Sequence, residues 1–151
     1  MTDYEKEQRA KEKAREKEIK ELVAKRWKFY KKCNAEKKQK LVDHTFKLVI
    51  DDVGSGWEYI HWELDGENVN ECRISDVGTT VHGLFYTLQE MGPQDVQEIV
   101  FCHEPGESSC IFARRNDIIC IELPGMDKAI YLQFEYFMNQ IEEEFYRWYK
   151  Y

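Results

Sequence analysis

No glycine or proline interrupts residues 3–40, and the whole chain of 151 residues has only three prolines. That scarcity excludes frequent breaks in the N-terminal quarter. Long apolar runs are missing too: the longest are four residues, such as Ile118-Ile119-Cys120-Ile121. A membrane-spanning helix needs roughly twenty, so none is expected. The charged stretch Met1 to Lys20 lacks the apolar core of a signal peptide, which makes a cytoplasmic protein the expectation. Cysteine pairs at framework spacings are also absent. The five cysteines, Cys33, Cys72, Cys102, Cys110 and Cys120, are odd in number and scattered, which fits reduced thiols. What is plentiful is charge, at 34%, beside a 42% hydrophobic share that can build one sizeable core.

The charge is divided unequally. The net formal charge is −7. Residues 1–40 carry 15 Lys and Arg against 8 Asp and Glu, or +7, and residues 41–151 carry 7 against 21, or −14. A basic arm therefore precedes a strongly acidic body. Such a body repels nucleic acid and attracts basic proteins. In the arm, acids interleave with bases, so no continuous positive stripe forms.

The periodicities divide the chain into a helical arm, residues 1–40, and an α+β body, residues 41–151. Residues 3–40 are rich in Glu, Lys, Ala and Arg, strong helix formers. Up to Glu18 there is almost nothing apolar. Then Ile19, Leu22, Val23, Trp27, Tyr30 and Cys33 form one helical stripe, so residues 19–33 are expected to dock on the body and cover a sheet face. In the body, Phe46, Leu48 and Ile50 alternate with more polar neighbours, and Trp57 to Leu64 alternates again, the period of strands. Asp65-Gly66 signals a hairpin into a third strand over Asn68 to Arg73. Ser75 is an expected N-cap for a helix over 75–91, with Gly92 closing it in a left-handed conformation before Pro93. Three strands follow, Ile99–His103, Cys110–Arg114 and Ile118–Leu123, apolar on both faces. Pro105-Gly106 suits the centre of a type II turn between the first two. Asp127 is a possible cap of a C-terminal helix, although Ala129 to Tyr136 alternates enough to be a strand. The expected fold is one antiparallel sheet of five or six strands with two packed helices, preceded by the long charged helix.

Chemistry-bearing patterns are weak. Cys102-His103-Glu104 with Cys110 suggests metal ligands, but paired Cys-x-x-Cys spacing is lacking, so no metal and no cofactor is expected. Ser108-Ser109 has no nucleophile elbow around it. Gly54-Ser55-Gly56 sits beside Asp51 and Asp52, which repel phosphate. No residue is assigned a catalytic role, and enzyme activity is not expected. Nucleic acid could be met only through the arm, where Lys31, Lys32, Lys37, Lys38 and Lys40 lie near Trp27, Phe29 and Tyr30. The strand face carrying Trp57, Tyr59 and His61 is either a recognition patch or, as the better expectation, buried.

The acidic α+β body, with Gly56-Trp57-Glu58-Tyr59 and the hairpin His103-Glu104-Pro105-Gly106-Glu107, resembles the small immunity proteins of bacterial polymorphic toxin systems over roughly residues 44–150. The resemblance implies a cytoplasmic inhibitor that occludes a basic toxin domain stoichiometrically. Acids near turns can meet a basic partner without desolvating the core. They include Asp51, Asp52, Glu104, Glu107 and the group Glu63, Asp65, Glu67 and Glu71; Glu142 to Glu144 reads as a solvated helix face. The expected partner contacts are Asp51, Asp52, Glu104 and Glu107 as charges, with Trp57 or Tyr59 as the aromatic anchor. The alternative is a regulatory or structural module whose arm oligomerises or binds nucleic acid.

Overall fold

Residues 3–40 do not form one helix. A computed structural model describes residues 1–54, 57–74, 80–103 and 106–149, with only the backbone for 52–54, 57, 102, 103, 106 and 107. Helix α1 runs Asp3–Lys32, and α2 follows at Ala35–Val42. The break falls at Cys33 and Asn34. The Asn34 Oδ1 accepts the Lys37 amide at 2.8 Å, so a side-chain cap restarts the helix where composition alone would have continued it. Thr2 caps α1 by accepting the Glu5 amide. The Ile19-to-Cys33 stripe is half-buried or buried, with Trp27 and Cys33 the most enclosed, whereas residues 9–18 are exposed.

The chain divides into two compact units, Met1–Lys38 and Gln39–Tyr151. The second is α+β. Its described strands make two antiparallel sheets rather than the single sheet of five or six strands expected from the sequence. The first holds β1 (Phe46–Gly54), β2 (Trp57–Leu64) and β3 (Glu67–Ile74). The second holds β4 (Val96–His103), β5 (Gly106–Arg115), β6 (Ile118–Glu122) and β7 (Ile130–Gln133). Both are meanders, so each strand pairs with its sequence neighbour. The β2–β3 hairpin turns on Asp65 and Gly66, at φ 52° and 84°, the positive angles that a tight two-residue turn requires. Asp65 also ties the start of β1, since its carboxylate accepts the Thr45 amide at 2.9 Å and meets His44 Nδ1 at 2.7 Å.

Helix α3 (Val81–Gln89) joins the sheets, and α4 (Phe134–Tyr149) follows β7 directly. Thr80 caps α3 by accepting the Gly83 amide at 3.1 Å; Ser75, the cap expected from the sequence, lies outside the described residues. The helix ends at Gln89, short of Gly92, which is not left-handed and instead donates its amide to Asp95. The alternation over Ala129 to Tyr136 is real: Ile130–Gln133 is strand, so Asp127 precedes β7 and caps no helix. Gly106 pairs with His103 as a strand residue, so it is not the centre of the turn; Glu104 and Pro105 lie outside the described residues.

One core joins both sheets. Phe46 stacks on Trp62 at 5.6 Å, Trp62 meets Phe112 at 6.0 Å, and Phe137 of α4 closes on Phe46 and Phe112. Ile50, Ile60, Phe101, Ile119, Ile121 and Leu132 surround them. This continuity through two hydrogen-bonded sheets is what lets 42% hydrophobic content form a single core.

Candidate partner-binding face

The outer face of the first sheet carries mostly polar side chains. Strand register places its side chains in rows, because residues directly opposite in an antiparallel pair share a face. Asp51 stands opposite Tyr59, and Tyr59 opposite Arg73. Val49, His61 and Glu71 make the next row, and Lys47 and Glu63 begin a third. Each of these residues is exposed or half-buried. Tyr59 and His61 are half-buried, and the side chain of Trp57 lies outside the described residues. Phe46, Leu48, Ile50, Ile60 and Trp62 point to the core, and among the described side chains of β1 and β2 the second face carries Val49 beside mostly polar neighbours.

Hydrogen bonds order this face. The Tyr59 hydroxyl donates to Glu71, which also accepts from Asn68 Nδ2 at 3.1 Å. That bond favours the protonated phenol, and the Tyr59 pKa is pushed up to about 12. The same hydroxyl, followed by Asn68, holds the Glu71 carboxyl below its ordinary value. His61 Nε2 lies 2.8 Å from Glu63. A tyrosine held by a carboxylate keeps its ring in one orientation, so less side-chain freedom is lost when a partner covers it.

Of the six residues expected to contact a partner, Asp51 and Tyr59 are brought together as a directly opposed pair. Trp57 and Asp52 belong to the same two strands, and their side chains lie outside the described residues. The backbone of Glu107 is in β5 of the other sheet, with its side chain outside the described residues, as is the whole of Glu104. Arg73 and Glu71 complete the rows. Alternation along β3 would have placed both beside Tyr59, but strand register was needed to match them.

The free edge of β1 is treated differently. Four polar side chains at helical spacing on α4, Tyr136, Gln140, Glu144 and Arg147, lie along it. The Tyr136 hydroxyl accepts the Phe46 amide at 2.9 Å, Glu144 accepts the Ile50 amide at 2.9 Å, and Arg147 donates to the Ile50 carbonyl at 2.8 Å. Arg147 is itself paired with Glu144. Gln140 lines two cavities of about 340 and 480 Å³, one against Phe46, the other against Leu48. Covering edge groups in this way blocks strand addition.

Among the described residues, no group of three or more His, Cys, Asp or Glu is placed to hold a metal ion. The side chains of Cys102, His103 and Glu104, three of the four groups in the metal pattern weighed from the sequence, lie outside them. Burial pushes the Cys72 thiol up to about 12 and raises that of Cys110 further, so neither is a thiolate nucleophile at neutral pH. No helix among the described residues is long and apolar enough to cross a membrane. No protein-family model, curated protein or solved structure matches the chain.

Proposed function

We propose that this chain is a protein-binding inhibitor, an immunity protein that blocks a basic toxin domain by stoichiometric occlusion. The observation that carries the reading is the polar sheet face on which Asp51 and Tyr59 stand opposite each other, with Tyr59 fixed by Glu71. A rigid aromatic flanked by carboxylates on a regular, pre-ordered surface suits a basic protein partner. The −14 charge of residues 41–151 steers such a partner toward the body.

The arm-based alternative has less support. Lys37 sits over the Phe29 ring at 5.4 Å and Lys38 over Tyr30 at 5.3 Å, so the aromatics that would stack on bases are in contact with the arm's own lysines. Affinity capture with the full chain and with residues 39–151 tests the choice. The inhibitor reading expects both to retain the same basic protein. Recovery of nucleic acid, lost on removal of residues 1–38, would replace it with the arm-based reading.

A further inference from the structure

Three faces of α4 have three different fates. Phe137, Met138, Ile141 and Phe145 point into the core, and the flank bearing Tyr136, Glu144 and Arg147 seals β1. The third flank carries Glu142, Tyr146 and Tyr149. It adjoins α3. Phe85 of α3 stacks on Phe145 at 4.0 Å, making a floor, and Tyr146 meets Phe85 edge-on at 5.9 Å. His82 stands edge-on to Phe145, Trp148 and Tyr149 at 5.4, 5.3 and 5.9 Å. Tyr86, one turn along α3 from His82, lies 6.5 Å from it.

The result is a patch in which Tyr86, Tyr146 and Tyr149 are 53%, 50% and 65% exposed over buried aromatic rings. Among the described side chains of residues 39–149, the one other exposed large hydrophobic is Val96, at 39%. Exposed aromatics gathered in one place mark contact surfaces. Charge selects the occupant. Glu142 lies one turn before Tyr146, and Glu90 lies one turn after Tyr86. Neither helix has a lysine or arginine among its described residues except Arg147, which is committed to β1 on the opposite flank. Electron-rich rings bordered by carboxylates fit guanidinium or ammonium groups by cation–π contact and ion pairing together.

We infer that the α3–α4 face is a second docking surface, distinct from the polar sheet face, and that it takes an arginine- or lysine-bearing protein segment. Arginine is the better fit, because its planar group stacks on a tyrosine ring while donating to a glutamate.

The test uses the full chain and a nine-arginine peptide as probe, with binding followed at 0.15 M salt. The triple change Tyr86→Ala, Tyr146→Ala and Tyr149→Ala leaves the net charge at −7, so attraction to the acidic body as a whole is unaltered. Loss of the rings is expected to weaken binding about tenfold. The single change Tyr149→Ala, at the most exposed of the three, is expected to weaken it by a smaller factor and guards against misfolding of the triple variant. Glu142→Gln with Glu90→Gln is expected to weaken binding as well. Tyr59→Ala and Asp51→Asn, on the sheet face, are expected to weaken it less than the changes on the α3–α4 face do. Equal affinity of the unaltered chain and both tyrosine variants overturns the inference. So does sensitivity confined to the sheet-face changes. Absence of any binding by the unaltered chain overturns it too, and leaves the capture of a basic protein by the sheet face standing as a separate result.

Discussion

The two sheets spend their second faces differently. In the four-stranded sheet, Ile119, Ile121 and Leu132 face the common core, while Ile111, Ala113, Cys120 and Tyr131 on the other face are buried as well. In the three-stranded sheet, Phe46, Leu48, Ile50, Ile60 and Trp62 are buried, and the opposite face is Lys47, Val49, Asp51, Tyr59, His61 and Glu63, all of them exposed or half-buried. The second sheet is therefore structural on both sides. The first has one structural side and one side whose residues are ordered by polar contacts but not required for the core. A surface of that kind can change its chemistry without unfolding the protein, which is what a partner-specific binding face needs.

The largest expected effects test the shared core. Phe112→Ala removes a fully buried ring that meets both Trp62 and Phe137, and should cost about 3–5 kcal/mol in chemical denaturation. Ile111→Ala, on the second face of the four-stranded sheet, should cost about 2–4 kcal/mol. Val49→Ala, on the second face of the three-stranded sheet, should cost about 1 kcal/mol or less. A Val49 cost equal to that of Ile111 would erase the distinction between the two sheets.

A smaller effect is expected at the β1 edge. Arg147→Ala removes the donor to the Ile50 carbonyl and the partner of Glu144, and should cost about 1 kcal/mol. Uncovering that edge should also promote self-association at high protein concentration, measurable by light scattering. An Arg147 variant as stable and as monomeric as the parent would show that the clamp is incidental.

The smallest effect on stability is expected at Tyr59 itself. Its pKa is raised in the folded state because its hydroxyl donates to Glu71. The resulting contribution to stability is complete below the ordinary tyrosine value near 10 and is lost as pH rises toward about 12. Glu71 runs the other way: lowered in the folded state, it contributes above its ordinary value of 4.5, and that contribution is lost as pH falls below it. Ultraviolet titration should show Tyr59 ionising late, beside Tyr30, whose pKa burial also raises, and Glu71→Gln should bring Tyr59 back toward the ordinary value. A Tyr59 that titrates with the bulk in the parent chain would mean that the bond does not hold in solution.

Much of this was legible in the residues because it depends on short periodicities. Alternation in Phe46–Ile50 and Trp57–Leu64, the Asp65-Gly66 turn and the α4 stripe are all local signals, and each corresponds to an element. The break at Asn34 was legible as well, since Asn is a strong cap, but the helix-favouring composition around it outweighed one residue. The division into two sheets was not legible, because strand pairing is a long-range choice that no local pattern encodes. The neighbours of Tyr59 and His61 were not legible either, because the register that sets them opposite Arg73 and Glu71 is a long-range pairing. The α3–α4 patch required two helices distant in the chain, meeting at Phe85 and Phe145, to be brought side by side.

Binding kinetics offer the most direct test of the central claim. The partner is the basic protein captured by the chain or the product of the neighbouring gene, and association and dissociation are followed at 0.05 and 0.3 M salt. The account predicts that added salt and Asp51→Lys each slow association at least about threefold with little change in melting temperature, and that Tyr59→Ala speeds dissociation about tenfold. An association rate indifferent to salt and to Asp51→Lys, with dissociation indifferent to Tyr59→Ala, would contradict it.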